Sequence, residues 1–127
     1  MSQRLSLTAL LVRDYAEAID FYVGKVGFEL REDTDQGDGK RWVVVGPTGG
    51  GAGLLLAKPT SGKGVGEQGA GRVFLFLETD EFDRDHQRME QAGVRFLEAP
   101  RREAYGTVAV FEDLYGNRWD LIEPRKD

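Results

Sequence analysis

Short apolar runs, separated by polar or glycine-rich stretches, make up most of this chain. Runs of this length bounded by turn residues are typical of buried strands. The first half carries four of them, which predict strands over residues 5–12, 28–31, 40–45 and 52–57. The second half carries four more, which predict strands over residues 73–77, 94–97, 107–111 and 118–122.

Two helices are predicted where apolar residues recur at helical intervals between these runs. The first follows Asp14, which has Glu17 three residues later in the spacing of a capping box. The second follows a candidate cap at Asp80, and Phe82 and Met89 form part of its apolar side. Each half therefore consists of one strand, one helix and three further strands.

The two halves repeat one another. The intervals Asp14 to Gly27 and Asp80 to Gly93 both span thirteen residues, and each lies between two predicted strands. Two βαβββ modules in one chain are the simplest interpretation, and they predict an α+β fold. We expect a single domain over residues 1–127, divided into module one at 1–57, a glycine-rich tether at 58–71 and module two at 72–127.

The tether contains GVGEQG, residues 64–69, which has the glycine spacing of a dinucleotide-binding loop. In such a loop the glycines follow a strand and open a helix, whose amides hold the pyrophosphate. Here the glycines precede the predicted strand at 73–77. We therefore interpret residues 58–71 as a flexible connection rather than a phosphate site.

Composition limits the classes of function. The chain has 127 residues, 40% of them hydrophobic, and a net charge of −5, which is unsuited to binding nucleic acid phosphates. The absence of cysteine excludes a disulfide framework, a thiolate metal site and a cysteine nucleophile. No stretch has the length of a membrane span or the pattern of a cleaved signal, so we expect a cytoplasmic protein without membrane contact.

Both ends of the sequence resemble the vicinal oxygen chelate superfamily, which includes glyoxalases, bleomycin resistance proteins and extradiol dioxygenases. The opening LLVRDYAEAIDFYVGKVGFEL is similar to the strand, capped helix and Gly-Phe with which members begin. The closing FEDLYGNRWDLIEP is similar to their Asp-Pro-x-Gly-Asn ending. The resemblance implies two modules forming a curved mixed sheet around a cavity, and a homodimer.

Metal-dependent members of that superfamily hold a divalent ion with two histidines and two glutamates. The resemblance carries these four ligand positions onto Leu7, a residue near Leu54, Val73 or Phe74, and Asp120. Only the last position keeps a carboxylate. The resemblance therefore implies a degenerate cavity, and we predict neither a metal nor another cofactor.

The single histidine of the chain, His86, lies in the predicted second helix and cannot replace the lost imidazoles. A site built from carboxylates alone, such as Asp120 with Glu78, is the alternative. Such a site would favour a hard ion, Mg²⁺ or Mn²⁺.

Alternation along the last strand predicts which side chains meet a ligand. Asp120 alternates with Trp119, which should pack against a helix, so Asp120 should face the cavity. Glu78 joins it only in the register that also turns Phe74 and Phe76 inward. Asp120 and Glu78 are the candidate catalytic residues. The candidate ligand-binding residues are Leu7, Arg41, Trp42, Leu54, Phe74, Phe76 and Tyr105.

These observations favour a small-molecule-binding protein with a metal-free cavity and a small organic ligand as its partner. One alternative is a lyase, isomerase or dioxygenase-type enzyme that uses a carboxylate metal site or a carboxylate base. The other alternative is a dimeric interaction module without catalysis.

Overall fold

The computed structural model describes residues 2–126. The chain divides into two compact units between Val65 and Gly66. Each unit has its own helix and its own mixed sheet, so the predicted α+β class is confirmed. The strands are hydrogen-bonded into two sheets, one per unit, rather than into a single sheet.

The first unit consists of one helical segment and four strands. Helix α1, Tyr15–Ile19, continues as a π-helical segment, Asp20–Val26. The strands are β1 (Leu7–Leu11), β2 (Glu29–Gly37), β3 (Lys40–Gly46) and β4 (Gly53–Ala57). Their order in the sheet is β1-β4-β3-β2, in which β1 and β4 are parallel and the other pairs antiparallel.

The second unit repeats this arrangement with one additional strand. Helix α2 spans Phe82–Gln91. The strands are β5 (Val73–Glu78), β6 (Arg95–Phe96), β7 (Arg101–Glu103), β8 (Gly106–Glu112) and β9 (Arg118–Pro124). The order is β5-β9-β8-β6, with β7 also paired to β8, and β5 and β9 are parallel.

The first helix begins as the sequence predicts. Asp14 is its N-cap, and the carboxylate Oδ2 accepts a hydrogen bond from the backbone N of Glu17 at 3.0 Å. The helix ends at Gly27, whose φ of 100° lies in the left-handed region that glycine adopts readily. The π-helical widening before it was not predicted, because apolar spacing does not distinguish a π-turn from an α-turn.

The second helix does not use the predicted caps. Neither Asp80 nor Glu81 caps it; Glu81 occupies the N-cap position, but its side chain makes no capping bond. Instead, Thr79 Oγ1 accepts from the backbone N of Glu81 at 3.0 Å, and Glu123 Oε1 accepts from the backbone N of Phe82 at 2.7 Å. Glu123 lies on β9, so the cap comes from tertiary structure that local sequence does not reveal.

Replacing Glu123 with leucine should therefore lower the free energy of unfolding by about 1 kcal/mol, the usual cost of losing an N-terminal cap. Glu123→Gln is the matched control, because its amide oxygen still accepts from the Phe82 amide and should preserve most of the stability. Urea unfolding followed by circular dichroism measures both variants. Equal stability of the two variants would show that the contact does not cap α2.

Two strands differ clearly from their predictions. β2 extends to Gly37 instead of ending at residue 31, and the hairpin turns at Asp38 and Gly39, with φ of 53° and 78°. A two-residue turn with positive φ suits the twist of a hairpin, which moves the turn to the end of DQGDG. β7 was not predicted, because its three charged residues show no apolar alternation.

Close backbone packing explains two glycines of GVGEQG. A Cβ on Gly69 would lie 2.6 Å from the backbone oxygen of Arg72, and a Cβ on Gly66 would collide with the backbone oxygen of Tyr115 in the β8–β9 turn. These glycines precede β5, and no helix follows them before α2. Their spacing therefore reflects packing within the second unit. Neither helix of residues 2–126 is long and apolar enough to cross a membrane.

Each sheet buries one face against its helix. In the first unit that face carries Val43 and Val45 of β3, which are paired with Leu56 and Leu54 and are fully buried. In the second unit a chain of rings joins α2 to the sheet: His86 to Phe96 at 4.2 Å, Phe96 to Phe111 at 5.6 Å, and Phe111 to Trp119 at 5.8 Å. The predicted packing of Trp119 on the helix side is thus observed.

Candidate functional site

The face of the first sheet that is turned away from α1 carries Trp42. Arg41 lies on the helix side with its guanidinium 5.2 Å from the centre of the Tyr15 ring, so alternation places Trp42 and Val44 on the opposite face. Val44 is paired with Leu55 there, and Leu7 of β1 is paired with Gly53 on the same face. We call this surface the Trp42 face, defined by Leu7, Trp42, Val44 and Leu55.

A cleft of about 410 Å³ lies on the Trp42 face. Leu5, Leu7, Trp42 and Val44 give it apolar walls, while Arg4, Arg31 and Glu32 supply charge. Leu5 is 75% exposed. An exposed leucine beside a partly exposed tryptophan in a concave surface of this size is typical of a small-molecule site.

Arg31 is held in this cleft by the backbone of the first unit. Its Nη1 donates to the carbonyl of Gly51 at 2.8 Å, and its Nη2 donates to the carbonyl of Pro47 at 2.9 Å. A Cβ on Gly46 would lie 2.6 Å from Arg31 Nη2, so only glycine leaves room for the guanidinium. Sequence reasoning missed Arg31. The signal that could have found it is glycine at Gly46 in β3 and Gly53 in β4, because a strand glycine often marks the close approach of another group.

Two predicted ligand-binding residues lie away from the Trp42 face. Leu54 is 5% exposed and is paired with Thr8 and Val45 on the helix side, so Leu55 occupies the position that the sequence assigned near Leu54. Arg41 donates two hydrogen bonds to Asp33, at 3.1 and 2.6 Å. These hydrogen bonds lower the pKa of the Asp33 carboxyl and raise the pKa of Arg41.

In the second unit, strand register places Phe76, Asp120 and Val110 in one row across the sheet, on the face turned away from α2. The next row holds Glu78, Ile122 and Val108. We call this surface the Asp120 face, defined by Phe76, Glu78, Val110, Asp120 and Ile122. The sequence left two registers open for β5. The observed pairing is the one in which Phe76 and Glu78 share a face with Asp120.

The two phenylalanines of β5 are placed differently. Phe76 is 68% exposed on the Asp120 face. Phe74 lies in the irregular part of the strand, where the pairing with β9 shifts between Val73 and Leu75. The bulge breaks strict alternation at Phe74.

Asp120 is the electrostatically unusual residue of this face. Among the described residues, its Oδ1 is buried and has no hydrogen-bond partner. Burial raises the pKa of the Asp120 carboxyl, the charge of Arg101 opposes this shift, and the charge of Glu98 adds to it. A buried carboxylate oxygen without a donor is costly, so this position invites a hydrogen-bond donor from outside the chain.

Glu98 and Arg101 are site residues that sequence reasoning missed. Glu98 Oε1 accepts from Arg101 Nε at 2.8 Å, and Glu98 Oε2 accepts from the backbone N of Val110 at 3.0 Å. The hydrogen bond that Arg101 donates to Glu98, with a smaller contribution from Tyr105, raises the pKa of Arg101. Tyr105 is 52% exposed and is thereby brought near the Asp120 face. No periodic signal marks residues 97–101, since they connect two very short strands.

His86 lies apart from both faces. Its ring stacks on Phe82 at 5.4 Å and packs at a tilt of 44° against Phe96 at 4.2 Å, between α2 and the sheet. The Nε2 atom is buried and has no partner among the described residues. His86 is therefore part of the packing between helix and sheet rather than a helix-surface residue.

The side chains present do not reproduce the metal-ligand set of the metal-dependent vicinal oxygen chelate proteins. Within residues 2–126, no three His, Cys, Asp or Glu side chains are grouped so that they could hold a metal ion. Leu7 offers no donor atom, and the carboxylate of Glu98 is already engaged by Arg101. Residues 2–126 therefore do not present the grouped imidazole and carboxylate ligands of those proteins.

Comparison with known proteins places these features in a family. The sequence matches the Glyoxalase/Bleomycin resistance protein/Dioxygenase superfamily over residues 4–121. An uncharacterized protein of Shewanella frigidimarina (strain NCIMB 400) is 56% identical over 128 residues, which cover 97% of this chain and 95% of that protein.

Two solved structures agree with this match. The fold is similar to that of TnmS3, an antibiotic binding protein from Streptomyces sp. CB03234, with a TM-score of 0.83, 32% identity and 98% of each chain covered. A glyoxalase/bleomycin resistance protein from the same organism gives a TM-score of 0.77 and 33% identity, covering 93% of this chain and 98% of that chain. With its two repeated modules, this chain belongs to the Glyoxalase/Bleomycin resistance protein/Dioxygenase superfamily.

Proposed function

We propose that this protein binds a small aromatic organic molecule without using a catalytic metal. The observation that carries the proposal is the cleft on the Trp42 face, in which Leu7 occupies the first metal-ligand position. Its volume of about 410 Å³ falls within the range of small-molecule sites. Leu7, Trp42 and Val44 of this face supply the contacts.

The aromatic side chain of the Trp42 face favours a planar ligand. Indole and phenyl rings gain about 0.5 to 1.5 kcal/mol from aromatic partners beyond the area they bury. TnmS3 is an antibiotic binding protein, and its 32% identity over 98% of this chain supports a binding role here. We place the protein in the cytoplasm, with no nucleic acid or membrane partner, in line with its net charge of −5.

Tryptophan fluorescence tests the proposal directly, because the chain has two tryptophans in different environments. Trp119 is 3% exposed in the packing beneath α2, whereas Trp42 lines the cleft. We expect saturable quenching when planar aromatic probes such as 2-naphthylmethylamine and proflavine are titrated, and loss of that response in Trp42→Phe. Absence of saturation with every probe in the series would contradict the proposal.

The unpaired oxygen of Asp120 favours an enzyme as the second candidate. A carboxylate with a raised pKa is suited to act as a general base in a lyase or isomerase reaction, and Glu78 on the same face could assist it. In that case Asp120→Asn would abolish turnover of a bound compound while the compound still binds. Unchanged turnover would remove this candidate.

We also propose a homodimer. Strands β1 and β2 are the edges of the first sheet, and β5 and β6 are edges of the second. Unpaired edges invite pairing with another chain, and a second copy is the commonest partner. Light scattering after size exclusion measures the mass, and a monomer at micromolar concentration would count against the dimer.

A further inference from the structure

Glu98 ties Arg101 to strand β8. One carboxylate oxygen accepts from Arg101 Nε at 2.8 Å, and the other accepts from the backbone N of Val110 at 3.0 Å. Arg101 also lies 3.7 Å from a Glu103 oxygen. The guanidinium is thus held by carboxylates of its own segment, and Glu98 has both of its oxygens engaged.

Arg101 nevertheless lies close enough to Asp120 to influence it. Arg101 is paired with Val108, and Val108 is paired with Ile122, which puts the arginine on the Asp120 face one row away from Asp120. The charges of Arg101 and Glu98 act on Asp120 in opposite directions. Arg101 is therefore the nearby cation that could neutralise Asp120 if Glu98 released it.

We propose that Glu98 is a positioning residue that sets the charge of the ligand group accepted beside Asp120. Because Glu98 holds the Arg101 guanidinium, Asp120 forms no direct ion pair among the described residues, and a cationic N–H donor of the ligand takes that place. This inference rests on the proposed binding of an organic molecule, and it specifies the charge of a ligand group accepted at the Asp120 face of the second unit.

A cation satisfies Asp120 in two respects. It donates the hydrogen bond that the Asp120 carboxylate lacks. Its positive charge also offsets the energetic cost of burying that carboxylate. A ligand carboxylate would meet a second negative charge there, and like charges brought together repel one another. The neighbouring rows of this face carry Glu78 and Arg101 on one side and Arg118 and Glu112 on the other, so each row holds charges of both signs.

A double-mutant cycle on the free protein tests the positioning role without any ligand. At neutral pH, Asp120→Asn should raise the melting temperature by about 3 to 6 °C in the presence of Glu98, because it removes an uncompensated charge. In the Glu98→Gln background, Arg101 loses its charged partner at 2.8 Å and keeps only the 3.7 Å contact with Glu103, so it can pair with Asp120, and the same substitution should lower the melting temperature. The same sign in both backgrounds overturns the positioning role.

Two naphthalene probes test the ligand charge. Wild-type protein should bind 2-naphthylmethylamine, a cation at neutral pH, at least about tenfold more tightly than 2-naphthoate. Glu98→Gln should reduce this preference by about tenfold or reverse it. The matched control is Glu17→Gln, which removes one negative charge from an exposed ion pair with Arg13 in the first unit and should leave the preference unchanged.

The outcomes separate the two proposals. Equal binding of both probes, unaffected by Glu98→Gln, preserves the binding function and overturns the charge selection. Failure of both probes to bind the wild type overturns the binding function and the ligand chemistry together, while a sign reversal in the melting temperatures still establishes that Glu98 restrains Arg101.

Discussion

Replacing Asp113 with alanine should lower the free energy of unfolding by about 3 to 5 kcal/mol, because several buried hydrogen bonds are lost together. Asp113 is 4% exposed in the β8–β9 turn. Its Oδ1 accepts from the backbone N of Tyr115 and of Asn117, both at 2.9 Å, and its Oδ2 accepts from Asn117 Nδ2 at 2.9 Å. Removal of the carboxylate leaves these donors without their acceptor.

Urea unfolding of Asp113→Ala measures this loss. Asp83→Ala, at an exposed position of α2, is the control and should change stability by less than about 0.5 kcal/mol. The turn leads directly into β9, so the variant should also disturb the placement of Asp120. A loss below 1 kcal/mol for Asp113→Ala would mean that the turn does not depend on this carboxylate.

Replacing Trp42 with alanine should weaken binding of a planar aromatic probe by about 10 to 100-fold, equivalent to about 1.4 to 2.7 kcal/mol. The indole is the largest aromatic surface in the cleft of the first unit. Its loss removes both buried apolar area and ring stacking. Stability should change less than affinity, because Trp42 is only partly buried.

Isothermal titration calorimetry with 2-naphthylmethylamine measures the affinity of Trp42→Ala. Trp42→Phe is the matched variant, since it keeps a ring in the cleft and should retain most of the affinity. Urea unfolding of each variant confirms that the fold is intact. An unchanged dissociation constant for Trp42→Ala would show that the probe binds elsewhere.

Much of the fold could be predicted from local pattern. Apolar runs and the thirteen-residue interval that ends at Gly27 and again at Gly93 predict the βαβββ order, because strands and helices have different periods. The capping role of Asp14 was equally visible. The length of β2 and the existence of β7 were not, since exposed polar strands carry no alternation of apolar residues.

The candidate site was less accessible to prediction. Alternation along the last strand placed Asp120 opposite Trp119 and therefore on the face turned away from α2. A one-residue offset was enough to put Leu54 on the helix side in place of Leu55, because side chains alternate strictly along a strand. Glu98 and Arg101 enter the site through contacts across β8, and no local spacing encodes such contacts.

Calorimetric titration of chelator-treated protein tests directly whether the protein binds an organic molecule without a metal ion. Protein freed of divalent ions by dialysis against EDTA is titrated with 2-naphthylmethylamine, and the titration is repeated after addition of Mg²⁺, Mn²⁺ or Zn²⁺. We expect saturable binding to the metal-free protein. None of the ions should change the affinity more than about twofold, since the cleft offers no ligand set for them. Binding that develops only after an ion is added would contradict the proposal of metal-independent binding.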